Sequence, residues 1–183
     1  MGLKETSKKV QFTKKLTIGF LAASLLGFPS SANAKTDLLV EIDQTVVSLH
    51  DYSVTSARIT NSSSSDYIRK VSSALNIQLA TIRKNVTTLD KDLVTNWTYL
   101  GKVPNYTYPD RDTMHTFDLQ VLAWYNFELK MQEKITSCYK VPNTSKSCVL
   151  KIRNANRKAE GALYAKITKT LTSIEAWRKA AKR

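Results

Sequence analysis

The chain has 183 residues, of which 28 are lysine or arginine and 15 are aspartate or glutamate, so its formal net charge is +13. Only five glycines and four prolines occur, and so few turn-forming residues exclude a turn-rich β fold and favour long helices. The length fits a single domain that can bury a sizeable core.

Residues 1–34 have the features of a cleaved secretory signal peptide. Five lysines precede an apolar run over residues 16–28. This run is shorter than the roughly 20 residues that a transmembrane helix needs. The segment Ala32-Asn33-Ala34 then matches the small-x-small pattern of a signal peptidase site. We expect cleavage after Ala34, a single mature domain over residues 35–183, and a periplasmic or secreted location. An uncleaved N-terminal anchor is the alternative.

Two amphipathic helices are predicted in the first half of the mature chain. The first extends over about residues 36–59, with Thr36 as a candidate N-cap, and ends before the polar residues 61–65. The second has its cap at Ser65 or Asp66 and ends at Gly101, with Pro104 beyond it. Its apolar residues recur at steps of three and four, the spacing of one helix face: Ile68, Val71, Leu75, Leu79, Ile82, Val86, Leu89, Leu93, Trp97 and Leu100.

The connection over residues 101–110 is rich in aromatic side chains. Tyr106 and Tyr108 lie there, and they either pack over the helix ends or form a partner-binding patch, since tyrosine is frequent in interface hot spots. A third helix follows, capped by Asp110 or Asp112 and ending before Pro142. Its apolar face comprises Met114, Phe117, Val121, Trp124, Phe127, Met131, Ile135 and Cys138.

The two cysteines of the chain, Cys138 and Cys148, flank the short connection to a fourth helix that begins near Ser145. Ten-residue spacing matches neither a C-x-x-C redox motif nor a zinc site, so in an oxidising compartment we expect a structural disulfide. Short connections make consecutive helices antiparallel. The sequence therefore predicts an all-α, up-down-up-down four-helix bundle with one disulfide at the junction of helices 3 and 4.

The fourth helix holds the charge imbalance of the mature chain. Residues 146–183 contain eleven basic and two acidic residues, a net charge of +9, whereas the charges of residues 35–145 cancel. An apolar arc runs from Val149 through Ala159 to Trp177, and a basic arc lies opposite. This basic arc is either a solvated face or a docking surface for an anionic partner. Its candidate binding residues are Arg153, Arg157, Lys158, Lys169, Lys179 and Lys182. Gly161, in the helix interior, suggests a close crossing with another helix.

Catalytic motifs are absent from the sequence, which contains no H-E-x-x-H, C-x-x-C-H, G-x-S-x-G or glycine-rich phosphate loop. We therefore expect a non-enzymatic protein without a cofactor or a metal ion. The favoured function is binding of a protein partner with an acidic surface, as an inhibitor, adaptor, chaperone or secretion-associated factor. The alternatives are an anionic membrane surface or envelope polymer, and a metal- or haem-binding bundle that uses His50 and His115. Nucleic acid is not an expected partner of an exported protein.

Five N-x-S/T sequons occur, at Asn61, Asn85, Asn96, Asn105 and Asn143. They would carry glycans only in a eukaryotic secretory pathway. The lysine-rich leader and the Ala-Asn-Ala site favour a bacterial exported protein, in which these asparagines stay unmodified.

Overall fold

The computed structural model describes residues 38–100, 111–140 and 145–181, with side chains for all of these except residues 96–100 and 181. Four helices make up this part of the chain: α1 (Leu38–Ala57), α2 (Ser65–Leu100), α3 (Arg111–Cys138) and α4 (Ser145–Ala181). The described residues contain no strand, which confirms the predicted all-α class. Within these ranges no helix is both long and apolar enough to span a membrane.

The connection between α1 and α2 is held by serine and threonine side chains. Ser63 Oγ accepts a hydrogen bond from the Thr60 N–H at 3.0 Å. Ser64 Oγ accepts one from the Tyr67 N–H at 3.2 Å, so Ser64 caps α2. The predicted cap was one or two residues too late, because Ser65 and Asp66 already lie in the first turn. The proposed caps Thr36 and Asp110, and the stop residues Gly101 and Pro104, lie outside the described residues.

The helices pack in chain order, α1 on α2, α2 on α3, and α3 on α4. Hydrogen bonds between helices give their directions. Gln78 Nε2 donates to Thr55 Oγ1 at 3.1 Å, and Asn85 Nδ2 donates to Ser48 Oγ at 3.0 Å. Residue numbers rise along α2 as they fall along α1, so these two helices are antiparallel. The disulfide and the hydrogen bond from Thr170 to Gln120 show the same for α3 and α4.

The apolar faces form two clusters of buried side chains. Every apolar residue of α2 that was assigned to the core from Ile68 to Leu93 is 7% exposed or less. On α3 the prediction holds apart from Phe127, which is only half-buried, and on α4 Ala159 is exposed. The buried arc of α4 is narrower than expected, because α4 packs mainly against α3 and only slightly against α2, and Ala159 falls outside this arc. The smaller cluster, near the disulfide, comprises Ile68, Met131, Ile135, Cys138 and Val149.

The predicted disulfide joins Cys138 at the end of α3 to Cys148 in the first turn of α4, with a Cα–Cα distance of 5.7 Å. This distance is in the usual range for protein disulfides. Cys138 is 4% exposed and packs in the smaller cluster with Val149. The covalent link therefore holds the two helices together at the end where the chain connects them.

Removal of the disulfide should lower the stability of the bundle without changing its fold. For a loop of this length the chain-entropy model gives a loss of about 3 kcal/mol in the free energy of unfolding. We expect this loss in urea titrations of the Cys138→Ala/Cys148→Ala double variant. Addition of a reducing agent should destabilise the parent protein and leave the variant unaffected. Equal unfolding midpoints for the two proteins would contradict the structural role of the bond.

Gly161 does not mark a close helix crossing. A Cβ atom built on it meets no neighbouring atom within 4 Å, so the expectation of a crossing at this position was wrong. A methyl group fits there, and glycine in a helix interior is less favourable than alanine because it has more backbone freedom to lose on folding.

Substitution Gly161→Ala should therefore raise the free energy of unfolding by about 0.5–1 kcal/mol. The neighbouring exposed Ala162 provides the matched control, because Ala162→Gly should lower it by a similar amount. Thermal and urea denaturation of the two variants measure both effects. A destabilised Gly161→Ala protein would mean that the space at this position is smaller than the structure shows.

Candidate functional site

Six basic residues of α4 are exposed, namely Lys151, Arg157, Lys158, Lys166, Lys169 and Lys179, and we refer to them as the α4 cations. They include four of the residues predicted to bind a partner. Of the other predicted residues, Lys182, Tyr106 and Tyr108 lie outside the described residues. None of the five lysines among the α4 cations forms a salt bridge with any residue that the structure describes.

Arg153 was predicted to lie on the same surface, but its side chain turns inward. Its Nη2 donates to the carbonyl oxygen of Ser56 at 3.3 Å and also to Ser56 Oγ. Arg178 behaves similarly, with an 18% exposed side chain that pairs with Asp43 Oδ1 at 2.9 Å and donates to the Leu39 carbonyl at 3.1 Å. Both arginines join α4 to α1, so their main role is in helix packing and not on an exposed surface.

The two acidic residues of α4 are also engaged inside the bundle or along its edge. Glu175 pairs with Arg178 at 2.6 Å. Burial raises the pKa of the Glu160 carboxyl, and the charges of Arg153 and Arg157 partly oppose this shift. Since Glu160 is half-buried and Glu175 is held by Arg178, neither acid neutralises the five lysines.

A polar layer crosses the interior of the bundle, and we define it by Tyr52, Ser56, Glu128, Gln132 and Arg153. The Tyr52 hydroxyl donates to Glu128 Oε2 at 2.5 Å and accepts a hydrogen bond from Gln132 Nε2 at 3.1 Å. Glu128 is 0% exposed. A solute therefore cannot reach this carboxyl group while the bundle is closed, so the layer supports the fold and is not an accessible active site.

Trp124 packs against the layer, with its ring edge-to-face on Tyr52 and a centroid distance of 5.0 Å. Several buried polar atoms around it have no hydrogen-bond partner among the described residues: Trp124 Nε1, Glu128 Oε1, Gln132 Oε1 and Arg153 Nη1. Each buried polar atom without a partner costs about 1–3 kcal/mol. Each such atom lowers the net contribution of the polar layer to stability.

Burial dominates the electrostatics of the layer. It raises the pKa of Glu128 to about 7, the negative charge of Glu160 adds to the shift, and the hydrogen bond from Tyr52 and the charge of Arg153 oppose it. Burial and the charge of Glu128 also raise the pKa of Tyr52, which therefore stays protonated and acts as a donor.

A second group of polar side chains lies between α2 and α3. Asp90 of α2, and His115 and Asp118 of α3, place one potential metal-ligand atom each within 4.8 Å of the other two. Asp90 and His115 are exposed, whereas Asp118 is 2% exposed. Burial, and to a lesser extent the charge of Asp90, raises the pKa of Asp118 to about 7. His50, the other residue of the suggested histidine pair, is not a member of this group.

Sequence reasoning missed Asp118, Glu128 and Gln132 as buried residues, although a signal for them exists. They continue the buried register of α3 at steps of three and four. Asp118 follows Met114 by four residues, Glu128 follows Tyr125 by three, and Gln132 follows Glu128 by four. A polar residue in such a register belongs to the buried face of the helix. The grouping with Asp90 has no signal in the sequence, since it depends on how α2 and α3 align.

Two of the sequons have side chains that the structure describes. Asn61 is exposed in the connection between α1 and α2. Asn85 lies on α2, and its Nδ2, the atom to which a glycan would be attached, donates to Ser48 Oγ and to the Gln44 carbonyl of α1. Asn85 therefore has a packing role between two helices.

No family model, curated protein or solved structure matches this chain. The α4 cations, the polar layer and the group between α2 and α3 are the features of this chain that bear on its function.

The raised pKa of Glu128 predicts a stability that falls as the pH rises. Between the ordinary value of 4.5 and about 7, the unfolded chain releases this proton while the folded chain retains it, so the stabilising contribution of Glu128 is lost across this window. The Glu128→Gln variant should lack this loss. Its stability relative to the parent protein should rise by roughly 2–3 kcal/mol from pH 4 to pH 8.

Urea titrations at several pH values measure this difference. The variant Glu133→Gln, which changes an exposed carboxylate of the same helix, is the matched control and should follow the parent protein. The assignment is wrong if Glu128→Gln and the parent protein have parallel pH profiles.

Proposed function

We propose that this protein is an exported, non-enzymatic helical-bundle protein that binds an acidic surface of a protein partner through the α4 cations. An inhibitor, adaptor, chaperone or secretion-associated factor would fit this description. The observation that carries the proposal is the separation of charges on α4. Its two acidic side chains and two of its arginines are engaged with the bundle. Five lysines remain exposed and form no salt bridge with the part of the chain that the structure describes.

The arrangement of the lysines supports a linear binding surface. Lys151, Lys158 and Lys169 are separated by seven and eleven residues, and at 100° per residue both spacings return to within about 20° of the same direction. They lie along about 27 Å of the helix. The exposed side chains of Ala155, Ala162 and Ala165 lie between them. The small side chains leave this line of α4 accessible to another helix or an extended segment.

The surface fits a protein better than the interior of a lipid leaflet. Helices that lie in a membrane interface insert large apolar side chains between the headgroups. In the described part of the chain, the large apolar side chains that are exposed lie on α1, α2 and α3 and not on α4. Contact of α4 with an anionic membrane would therefore be electrostatic alone and strongly weakened by salt.

The location is part of the proposal. A lysine-rich segment, an apolar run and an Ala-Asn-Ala site at the start of the sequence support export. The disulfide between Cys138 and Cys148 supports an oxidising compartment, because such bonds are rare in the cytosol. In that compartment the α4 cations would meet acidic envelope proteins and not nucleic acid.

Affinity enrichment from the extracytoplasmic fraction of the native cell tests this function with two matched baits. In the first, Arg157, Lys158, Lys169 and Lys179 are changed to glutamine. In the second, the exposed α2 residues Lys70, Arg83, Lys84 and Lys91 are changed to glutamine. Each bait loses one arginine and three lysines, so the two have the same net charge. We expect a protein that is retained by the parent and by the α2 variant, and lost by the α4 variant.

The other outcomes distinguish the alternatives. A partner retained equally by both variants would contradict a role for the α4 cations. Recovery of lipid or envelope polymer alone, removed by moderate salt, would replace the protein partner with an anionic surface. Circular dichroism of both variants checks that the substitutions leave the helices intact.

A further inference from the structure

The group formed by Asp90, His115 and Asp118 is independent of the α4 cations. His115 and Asp118 are three residues apart on α3, so their side chains project from the same face, one turn apart. Asp90 reaches them from α2, which is antiparallel to α3 because Tyr139, just after the end of α3, bonds to Ser72 near the start of α2. One ligand atom of each residue lies within 4.8 Å of the others. Three groups that all bind metal ions thus converge from two helices on one small volume.

Asp118 provides a second observation that points to a cation. Its side chain is 2% exposed, and its Oδ1 is buried without a hydrogen-bond partner among the residues that the structure describes. The neighbouring charged group that acts on it is Asp90, another acid. A buried carboxylate without a donor is costly to the fold unless it is paired or coordinates a metal ion. The fold therefore holds a buried carboxylate group, with one oxygen that lacks a donor among the described residues, beside the exposed Asp90 and His115 side chains.

We propose that Asp90, His115 and Asp118 bind one divalent metal ion of the zinc type between α2 and α3. The ligand set is one imidazole nitrogen and two carboxylate oxygens. Imidazole suits zinc and neighbouring transition metals, whereas Mg²⁺ and Ca²⁺ prefer sites made of oxygen alone. Three protein ligands leave at least one coordination position for water or for a group from a partner.

The ligand atoms would have to move only slightly closer together to bind the ion, and the exposed side chains of Asp90 and His115 would make this movement. With metal–ligand bonds of about 2.0–2.1 Å in tetrahedral geometry, ligand atoms are about 3.4 Å apart. The ligand atoms lie 4.8 Å apart or less. Because Asp118 is buried, the exposed Asp90 and His115 side chains would make this adjustment. The ion would link α2 to α3, and binding to the folded state alone would stabilise the bundle.

Zinc titration of the chelator-treated protein, expressed from its full-length coding sequence, tests the site by isothermal calorimetry. We expect one Zn²⁺ per chain and much weaker binding of Mg²⁺. Asp90→Asn and His115→Gln should each weaken Zn²⁺ binding by at least about tenfold, as loss of even a supporting group at a metal site does. Both residues are exposed, so these substitutions should leave folding unaffected. The isosteric Asp118→Asn should have the same effect on affinity.

The double variant His50→Gln/Asp51→Asn is the matched control, since it removes an exposed histidine and an exposed aspartate from α1. It should bind Zn²⁺ with the affinity of the parent protein. NMR provides an independent readout, because Zn²⁺ should shift the imidazole nitrogen signals of His115 and leave those of His50 in place. Parent-like affinity in both Asp90→Asn and His115→Gln, or a shift confined to His50, would overturn the proposal. So would the absence of Zn²⁺ binding to the parent protein.

Discussion

The hydrogen bond from Tyr52 to Glu128 is the buried polar contact through which α1 reaches α3. By backbone proximity α1 packs on α2 only, so its connection to the other two helices is made by long side chains. Tyr52 reaches Glu128 and Gln132 of α3, and Arg153 of α4 reaches Ser56. Arg178 makes the corresponding contact near the other end of α1. Apolar faces bring the helices together, and these polar contacts link α1 to α3 and α4.

The same contacts divide the positive charge of α4 into two groups. Arg153 and Arg178 are long enough to cross to α1, and their planar guanidinium groups donate several hydrogen bonds at once. The lysines stay outside, because an ammonium group is strongly hydrated and is costly to bury. The surface available to a partner is therefore smaller than the charge of the segment suggests, and it consists mainly of lysine.

Two buried acids, Glu128 and Asp118, lie at different positions along α3, and they differ in the hydrogen-bond donors and charged groups around them. Glu128 has the Tyr52 hydroxyl as a donor and Arg153 as a nearby cation. Asp118, ten residues earlier and about 15 Å away along the helix, faces Asp90 and His115. The first arrangement lies inside the bundle, and it joins three helices. The second is open to solvent on the side of its two exposed members, which is the arrangement expected where a small ion enters.

Periodicity predicted the four helices and the buried face of α2, the short connections predicted the direction of successive helices, and the cysteine pair predicted the disulfide. These features depend on local spacing, because residues three and four apart share a helix face whatever that face packs against. The spacing of Cys138 and Cys148 across a short connection likewise needs no knowledge of the rest of the chain. The leader and the partner-binding surface stay predictions.

Other features were decided by the tertiary structure. From the sequence we predicted that Arg153 lies on the outer surface and that another helix crosses at Gly161. A pair of His115 with His50 was only an alternative to the favoured function. In the structure Arg153 bonds to Ser56, Gly161 faces open space, and His115 lies beside Asp90 and Asp118. Each of these outcomes depends on the rotation and axial alignment of one helix against another. Helical spacing shows which residues share a face, but only the packed bundle determines which face of a neighbouring helix lies opposite.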